Sequence, residues 1–235
     1  MDDAFDLKMM RLSPSQQSEL IQLSWEANAA AWTQVVRLRQ IESRRVATDV
    51  AIVRLIQQYD AKRLLEVGCG EGWLARQLSE SGMEVVGIDS SKELIACARE
   101  QEFGEFFELS YSQAIANPQL LRGSYDAIVC NFSLLEEKIT PLLQILRSQL
   151  SDGGHLFIQT VHPFTSISTQ PYVDGWQLES FQSFDAAFSK PMPWYFRTVS
   201  SWLNILKESG LTVVDSMEPV HPETKQPLSL ILVCQ

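Results

Sequence analysis

The 235-residue chain is poor in positive charge: 19 Lys and Arg stand against 29 Asp and Glu, a net charge of −10. A polyanion gains no electrostatic free energy by approaching such a surface, which disfavours nucleic acid as a partner. Cysteine is sparse and scattered. Cys69, Cys97, Cys130 and Cys234 form no C-x-x-C pair, so neither a zinc site nor a disulfide framework is indicated, and reduced thiols fit a cytoplasmic protein. Long apolar runs are missing too: no stretch approaches the ~18 residues of a membrane span, and the acidic N-terminal residues lack the basic-then-apolar pattern of a signal peptide. Repeats and low-complexity tracts are absent. These absences leave the expectation of a soluble monomer or homodimer whose 45% hydrophobic content buries one substantial core.

What is present is a glycine cradle. The stretch LLEVGCGEGWLARQL, from Leu64 to Leu78, reads as an apolar strand ending in an acid, three glycines at alternate positions, and then a helix. The glycines are Gly68, Gly70 and Gly72, and Trp73 follows where a dinucleotide fold needs a small residue for close helix–strand packing. Glu66 stands at the mouth of the strand, where a carboxylate repels a pyrophosphate and attracts an ammonium or sulfonium group. Asp89 ends the next strand, in GMEVVGIDSS, placed to accept hydrogen bonds from ribose hydroxyls. It is equally a candidate cap for the helix beginning at SKEL. A nucleoside with a cationic amino-acid tail is S-adenosylmethionine.

EVGCGEG, from Glu66 to Gly72, resembles motif I of the class I S-adenosylmethionine-dependent methyltransferases; VVGIDSS resembles their second motif, and YDAIVCNFSLL their fourth strand and its loop. The resemblance covers roughly residues 40–235. It implies a Rossmann-like α/β fold with a seven-stranded, mostly parallel sheet and one antiparallel strand. It also implies cofactor contacts from Glu66, Gly68, Cys69, Gly70, Gly72, Asp89 and Ser90, and from Asn131 and Phe132 after the fourth strand. Ser110 and Tyr111 stand where many relatives carry an Asp-Ala pair at the adenine. Arg44, ahead of motif I, matches basic residues that pair with the methionine carboxylate in several relatives; a solvated helix face is the plainer reading of Arg44 and Arg45.

Before the cradle, Ser15 to Tyr59 reads as two or three helices, with a Val46, Val50, Val53 stripe and an earlier amphipathic piece marked by Trp25 and Trp32. We expect an N-terminal helical cap over residues 1–60 on a methyltransferase domain over 61–235, one structural domain in all. Strands are expected at Arg63–Val67, Glu84–Asp89, Phe106–Leu109, Ala127–Asn131 and His155–Val161. A helix with Ile139, Leu143, Leu146 and Leu150 on one face should stop at Gly153 and Gly154. The last strands, Leu211–Asp215 and Leu228–Cys234, are joined without a helical crossover and should be antiparallel. That reversal separates the fold from an all-parallel dinucleotide sheet.

Ligands of open parallel α/β sheets bind beyond the carboxyl ends of the strands. His162, which follows the fifth strand, is therefore a candidate general base, whereas His155 begins that strand and reads as structural. About residues 163–197 form an insertion too long for an ordinary connection, a candidate lid over an acceptor pocket that Tyr172, Trp176, Tyr195, Arg197 and His221 would wall. The aromatics of the insertion also serve as its own small core. The leading expectation is methyl transfer to an oxygen or nitrogen of a small molecule. Two alternatives keep the cofactor: a tRNA or protein methyltransferase, disfavoured by the acidic charge and by NFSL in place of an N-P-P-Y type motif, and a non-catalytic S-adenosylmethionine-binding subunit.

Overall fold

The computed structural model describes residues 3–100, 102–165, 171–184 and 186–235; of the expected lid, 166–170 and 185 lie outside them. Short apolar segments alternate with amphipathic ones, and the result is a seven-stranded sheet covered by helices on both faces. The strands are β1 (Arg63–Val67), β2 (Glu84–Asp89), β3 (Glu105–Glu108), β4 (Tyr125–Asn131), β5 (Leu150–Val161), β8 (Val213–Met217) and β9 (Ser229–Cys234); β6 (Gly175–Glu179) and β7 (Met192–Phe196) form a separate hairpin. The order across the sheet is β3-β2-β1-β4-β5-β9-β8, with β9 antiparallel to both its neighbours and the remaining pairs parallel. Strand order reverses between β1 and β4, which opens a crevice at their carboxyl ends.

The alternation of side chains along each strand sorts them into two cores. Leu65, Val67, Ile128 and Ile158 pack beneath α7 (Thr140–Ser148) and α8 (Val199–Glu208) on one face. Leu64, Val129, Phe157 and Ile231 pack on the other, beneath α3 (Asp49–Gln57), α4 (Trp73–Ser79) and α5 (Lys92–Arg99). The first two helices are α1 (Asp3–Met10), which lies against the hairpin, and α2 (Pro14–Arg37), which packs on both α5 and the hairpin; Met9, Ile21 and Trp176 form a third buried cluster there. Ser13 starts α2 with a capping box to Gln16 and Pro14 in its first turn. No helix among the described residues is long and apolar enough to cross a membrane.

Two sequence expectations need correction. Helix α7 ends at Ser148, and Leu150, Gly153 and Gly154 belong to β5. The register there slips between Tyr125 and Ala127, Gly153 takes φ +79°, and a Cβ on Gly154 would lie 2.8 Å from the Tyr125 carbonyl oxygen. The glycines thus serve a strand irregularity, where a helix stop has the same composition. The valine stripe is not the buried face of its helix: Val50 is exposed, whereas Ile52, Leu55 and Ile56 are buried, because a π-helical turn at Arg44–Thr48 rotates the chain before α3 begins.

Candidate functional site

A cavity of about 400 Å³ lies at the carboxyl ends of the strands, reached by Glu66 from β1, Asp89 from β2, Asn131 from β4 and Gln159 from β5. Trp25 and Trp32 from α2 close it above with Phe181, Trp194 and Tyr195 from the hairpin segment. The glycine loop forms its floor. Gly68 and Cys69 donate their N–H groups to the Ile88 carbonyl at 2.8 and 3.0 Å, and Gly70 donates to Asp89 Oδ2 at 2.9 Å, so the loop is fastened to β2 before any ligand arrives. The three glycines do different work. A Cβ on Gly68 would lie 2.4 Å from Ser133 Cβ, and one on Gly72 would press on Ala98 at 3.2 Å, so both serve packing. A Cβ on Gly70 would meet nothing closer than Trp32 Nε1 at 4.0 Å: it would occupy cavity space that a ligand needs.

Glu71 anchors the loop from behind. Its buried carboxylate takes Arg37 of α2 at 3.1 Å and Arg76 of α4 at 2.7 Å. Glu66 has no such partner. Its side chain is buried, its Oε2 accepts no hydrogen bond, and burial pushes its carboxyl well above the usual range. Burial also raises Asp89, although N–H donation from Ser91 and Gly70 opposes the shift. Arg44 is the one Lys or Arg of the cavity wall among the described residues, and it stands 2.8 Å from Asp49 with its guanidinium 4.4 Å from the Trp73 ring centroid. A carboxylate left unpaired in such a place is high in energy until a cation reaches it.

Of the expected cofactor residues, Glu66, Gly68, Cys69, Gly70, Asp89 and Ser90 line the cavity, as do Arg44, Tyr111, Asn131 and Phe132. Tyr111 donates its hydroxyl to the Ser133 carbonyl at 2.8 Å. Phe132 adopts φ +54° while its N–H donates to Gln159 O at 2.7 Å, a strained non-glycine residue at the ligand rim. Gly72 and Ser110 stand outside the wall; Ser110 caps its helix in a capping box with Gln113. The cap of α5 is Ser91, which leaves Asp89 to hold the glycine loop and the Ser91 N–H.

The acceptor-side expectations fare differently. Tyr195 lines the cavity, but His162, Tyr172, Trp176, Arg197 and His221 do not. His162 is buried with Nε2 2.8 Å from Glu218 Oε1. Tyr172 accepts the Val199 N–H at the start of α8 and stacks on Phe164, with ring centroids 4.5 Å apart. Trp176 sits in the third core, and its backbone N–H donates to Asp6 Oδ1. Arg197 is buried, with Nη2 donating to the carbonyls of Glu136 and Glu137. His221 Nδ1 accepts from the N–H groups of Glu223 and Thr224 in its own turn. Strand polarity locates the rim, whereas side-chain direction decides what enters it.

Several wall residues escaped the sequence reading: Gln159, Glu136, Glu179, and Trp25 and Trp32 as site residues rather than core. Gln159 carried a signal, being a polar residue inside the apolar strand HLFIQTV. The hairpin between Gly175 and Phe196 had none, since its register depends on contacts with α1, α2 and the loop after β4.

A mostly parallel seven-stranded sheet with β9 reversed, a glycine loop after β1 and an acid ending β2 define a Rossmann-like fold of the class I methyltransferase type. A model of the methyltransferase domain family matches residues 16–216, and the chain belongs to that family. Among curated proteins it is similar to the ubiquinone biosynthesis O-methyltransferases of Aliivibrio fischeri (strain MJ11), 34% identical over 110 residues, covering 43% of this chain and 44% of that protein. The corresponding protein of Vibrio cholerae serotype O1 (strain M66-2) is 35% identical over 109 residues, covering 43% and 42% of the two chains. The chain thus spans less than half the length of these relatives. Among solved structures, the magnesium protoporphyrin IX methyltransferase of Synechocystis PCC 6803 superposes with a TM-score of 0.62 at 14% identity, covering 93% of this chain and 96% of that one. An S-adenosylmethionine-dependent methyltransferase of Mesorhizobium loti gives 0.58 at 20%, covering 78% and 95%. These likenesses concern the fold.

Proposed function

We propose that this protein binds S-adenosylmethionine and transfers its methyl group to an oxygen or nitrogen of a small, aromatic or apolar molecule. The observation that carries the reading is the buried carboxyl of Glu66, with no paired cation and one oxygen that accepts no hydrogen bond, beside the open face of Gly70, an arrangement suited to a cationic ligand. The residues fit the cofactor: Glu66 faces its ammonium or sulfonium end, Asp89 has acceptor capacity left for ribose hydroxyls, and Arg44 offers the wall's cation to a carboxylate. When bound, S-adenosylmethionine supplies an activated methyl group. The protein's own part is alignment and exclusion of water, and orientation alone is worth up to about 7–11 kcal/mol.

The roof is suited to that part. Asn28 of α2 accepts the N–H groups of Ser189 and Lys190 and donates to the Lys190 carbonyl, while Tyr195 N–H donates to Leu135 O at 2.8 Å. The segment is pinned to α2 at one end and to the loop after β4 at the other, so that α1, α2 and the hairpin together cap one domain. We assign proton removal to Glu136, which lines the cavity and whose carboxyl is raised by burial, rather than to His162 outside the wall. The test is transfer of radiolabelled methyl from S-adenosylmethionine to a panel of phenols and aryl amines. Label should appear in at least one class; cofactor binding without transfer to any acceptor would favour a binding subunit.

A further inference from the structure

Every buried, unpaired polar atom of a cavity-lining residue is a hydrogen-bond acceptor: Glu66 Oε2, Asn131 Oδ1 and Gln159 Oε1, among the described residues. The other unpaired buried side-chain atoms, Thr33 Oγ1, Thr48 Oγ1, His162 Nδ1, Trp176 Nε1, Gln177 Nε2 and Arg197 Nη1, belong to residues outside the wall. Gln159 is the most constrained of the three. Its Nε2 donates to the Thr48 carbonyl at 3.2 Å and to Ser229 Oγ at 2.9 Å, so turning the amide would set Oε1 against a carbonyl oxygen. The side chain is only 1% exposed. A buried carbonyl without a donor is costly, and a ligand that supplies one recovers that cost.

The three acceptors form a row. Glu66 lies two residues after Leu64, Asn131 two after Val129, and Gln159 two after Phe157, and those three apolar residues share the core beneath α3 and α4. With β4 between β1 and β5, Asn131 in register with Gln159 and Glu66 in register with Val129, the row runs obliquely across one face of the sheet from Glu66 to Gln159. Around the cavity stand Trp25, Phe181, Trp194 and Tyr195, together with the carboxyls of Glu136 and Glu179.

We infer that the methyl acceptor is an aromatic molecule, neutral or cationic, that presents an N–H or O–H donor to Gln159 Oε1, and that the site rejects aromatic carboxylates. This rests on the methyl-transfer reading, which gives the Glu66 end of the row to the cofactor. An anion seated at Gln159 Oε1 would set lone pair against lone pair, whereas an alcohol or ammonium group pairs the orphaned carbonyl.

The full chain, saturated with S-adenosylhomocysteine, is titrated calorimetrically with 2-naphthylmethanol, 2-naphthylmethylamine and 2-naphthoate, which share a ring system and differ in the polar group. The alcohol and the amine should bind at least about tenfold more tightly than the acid. In Gln159→Leu, provided that S-adenosylhomocysteine still binds, the alcohol should lose about tenfold while 2-methylnaphthalene is held as well as before. Equal or tighter binding of 2-naphthoate overturns the inference. So does wild-type affinity for the alcohol in Gln159→Leu, or failure of alcohol and amine to bind a chain that holds S-adenosylhomocysteine. The comparison of the three probes on the natural chain decides the matter if the variant does not fold. A chain that fails to bind S-adenosylhomocysteine overturns the methyl-transfer reading itself, and the inference falls with it.

Discussion

The Gly70 N–H donates to the Asp89 carboxylate at 2.9 Å, which ties the loop after β1 to the end of β2. The other oxygen of Asp89 accepts the Ser91 N–H at 2.8 Å, so one side chain holds two backbone segments of the cavity floor. Asp89→Ala should therefore do two things at once. We expect S-adenosylhomocysteine affinity to fall by about 1.5–3 kcal/mol and the ligand-free protein to lose stability by a similar amount, both being hydrogen bonds to a charged group. Calorimetry and thermal melting of the same variant separate the effects; a full loss of affinity with an unchanged melting temperature would make Asp89 a ligand contact alone.

Glu66→Gln should move stability and binding in opposite directions. Burial raises the folded-state pKa of Glu66, so its ionisation disfavours folding, and the penalty grows as pH rises above the ordinary carboxylate range. The neutral amide removes that penalty. At neutral pH the variant should melt about 2–4 °C higher for each kcal/mol recovered, the gain should vanish in acid, and S-adenosylhomocysteine should bind about tenfold or more weakly.

Asp126 carries the opposite pH signature. Its Oδ2 accepts the N–H groups of Lys62 and Arg63 at 3.0 Å each, and these bonds lower its pKa. A depressed carboxyl contributes stability that is complete above the unfolded-state value and is lost as pH falls through the folded one. Asp126→Ala should cost about 1 kcal/mol at pH 7, at the low end because solvent screens the site, and the difference from the natural chain should shrink through the acid range. Urea titrations at neutral and acid pH measure it.

His162→Gln probes the proton acceptor. The imidazole is buried against Glu218 and does not line the cavity. Turnover at saturating acceptor should stay within about twofold of the natural chain, whereas Glu136→Gln should lower it by about a hundredfold or more if the acceptor is a hydroxyl. Equal losses in the two variants would return the base to His162.

Most of the sheet was legible because local pattern and global fold agree there. The LLEV and VVGID runs, the glycine loop and the helix-free link before Leu228 each fix an element or its direction by short-range rules. The rim of the site was legible for the same reason: strand ends follow from strand polarity. What lay beyond reading was direction and partner. His162 and Gln159 lie three residues apart on β5 and its end, and only the packed structure shows that the second faces the cavity and the first does not. Gly153 and Gly154 mark a strand irregularity whose partner, Tyr125, is distant in sequence. The hairpin takes its register from Asp6, Asn28 and Leu135, and such contacts leave no periodicity in the chain itself.

The most direct test of the account is a pair of calorimetric titrations of the natural chain at pH 7, one with S-adenosylhomocysteine and one with NAD. The Glu66 carboxyl, one oxygen of which accepts no hydrogen bond, and the open face of Gly70 favour a cationic nucleoside and oppose a pyrophosphate. S-adenosylhomocysteine, which keeps the ammonium group, should bind one equivalent and NAD should bind more weakly or not at all; tighter binding of NAD would contradict the account at its centre.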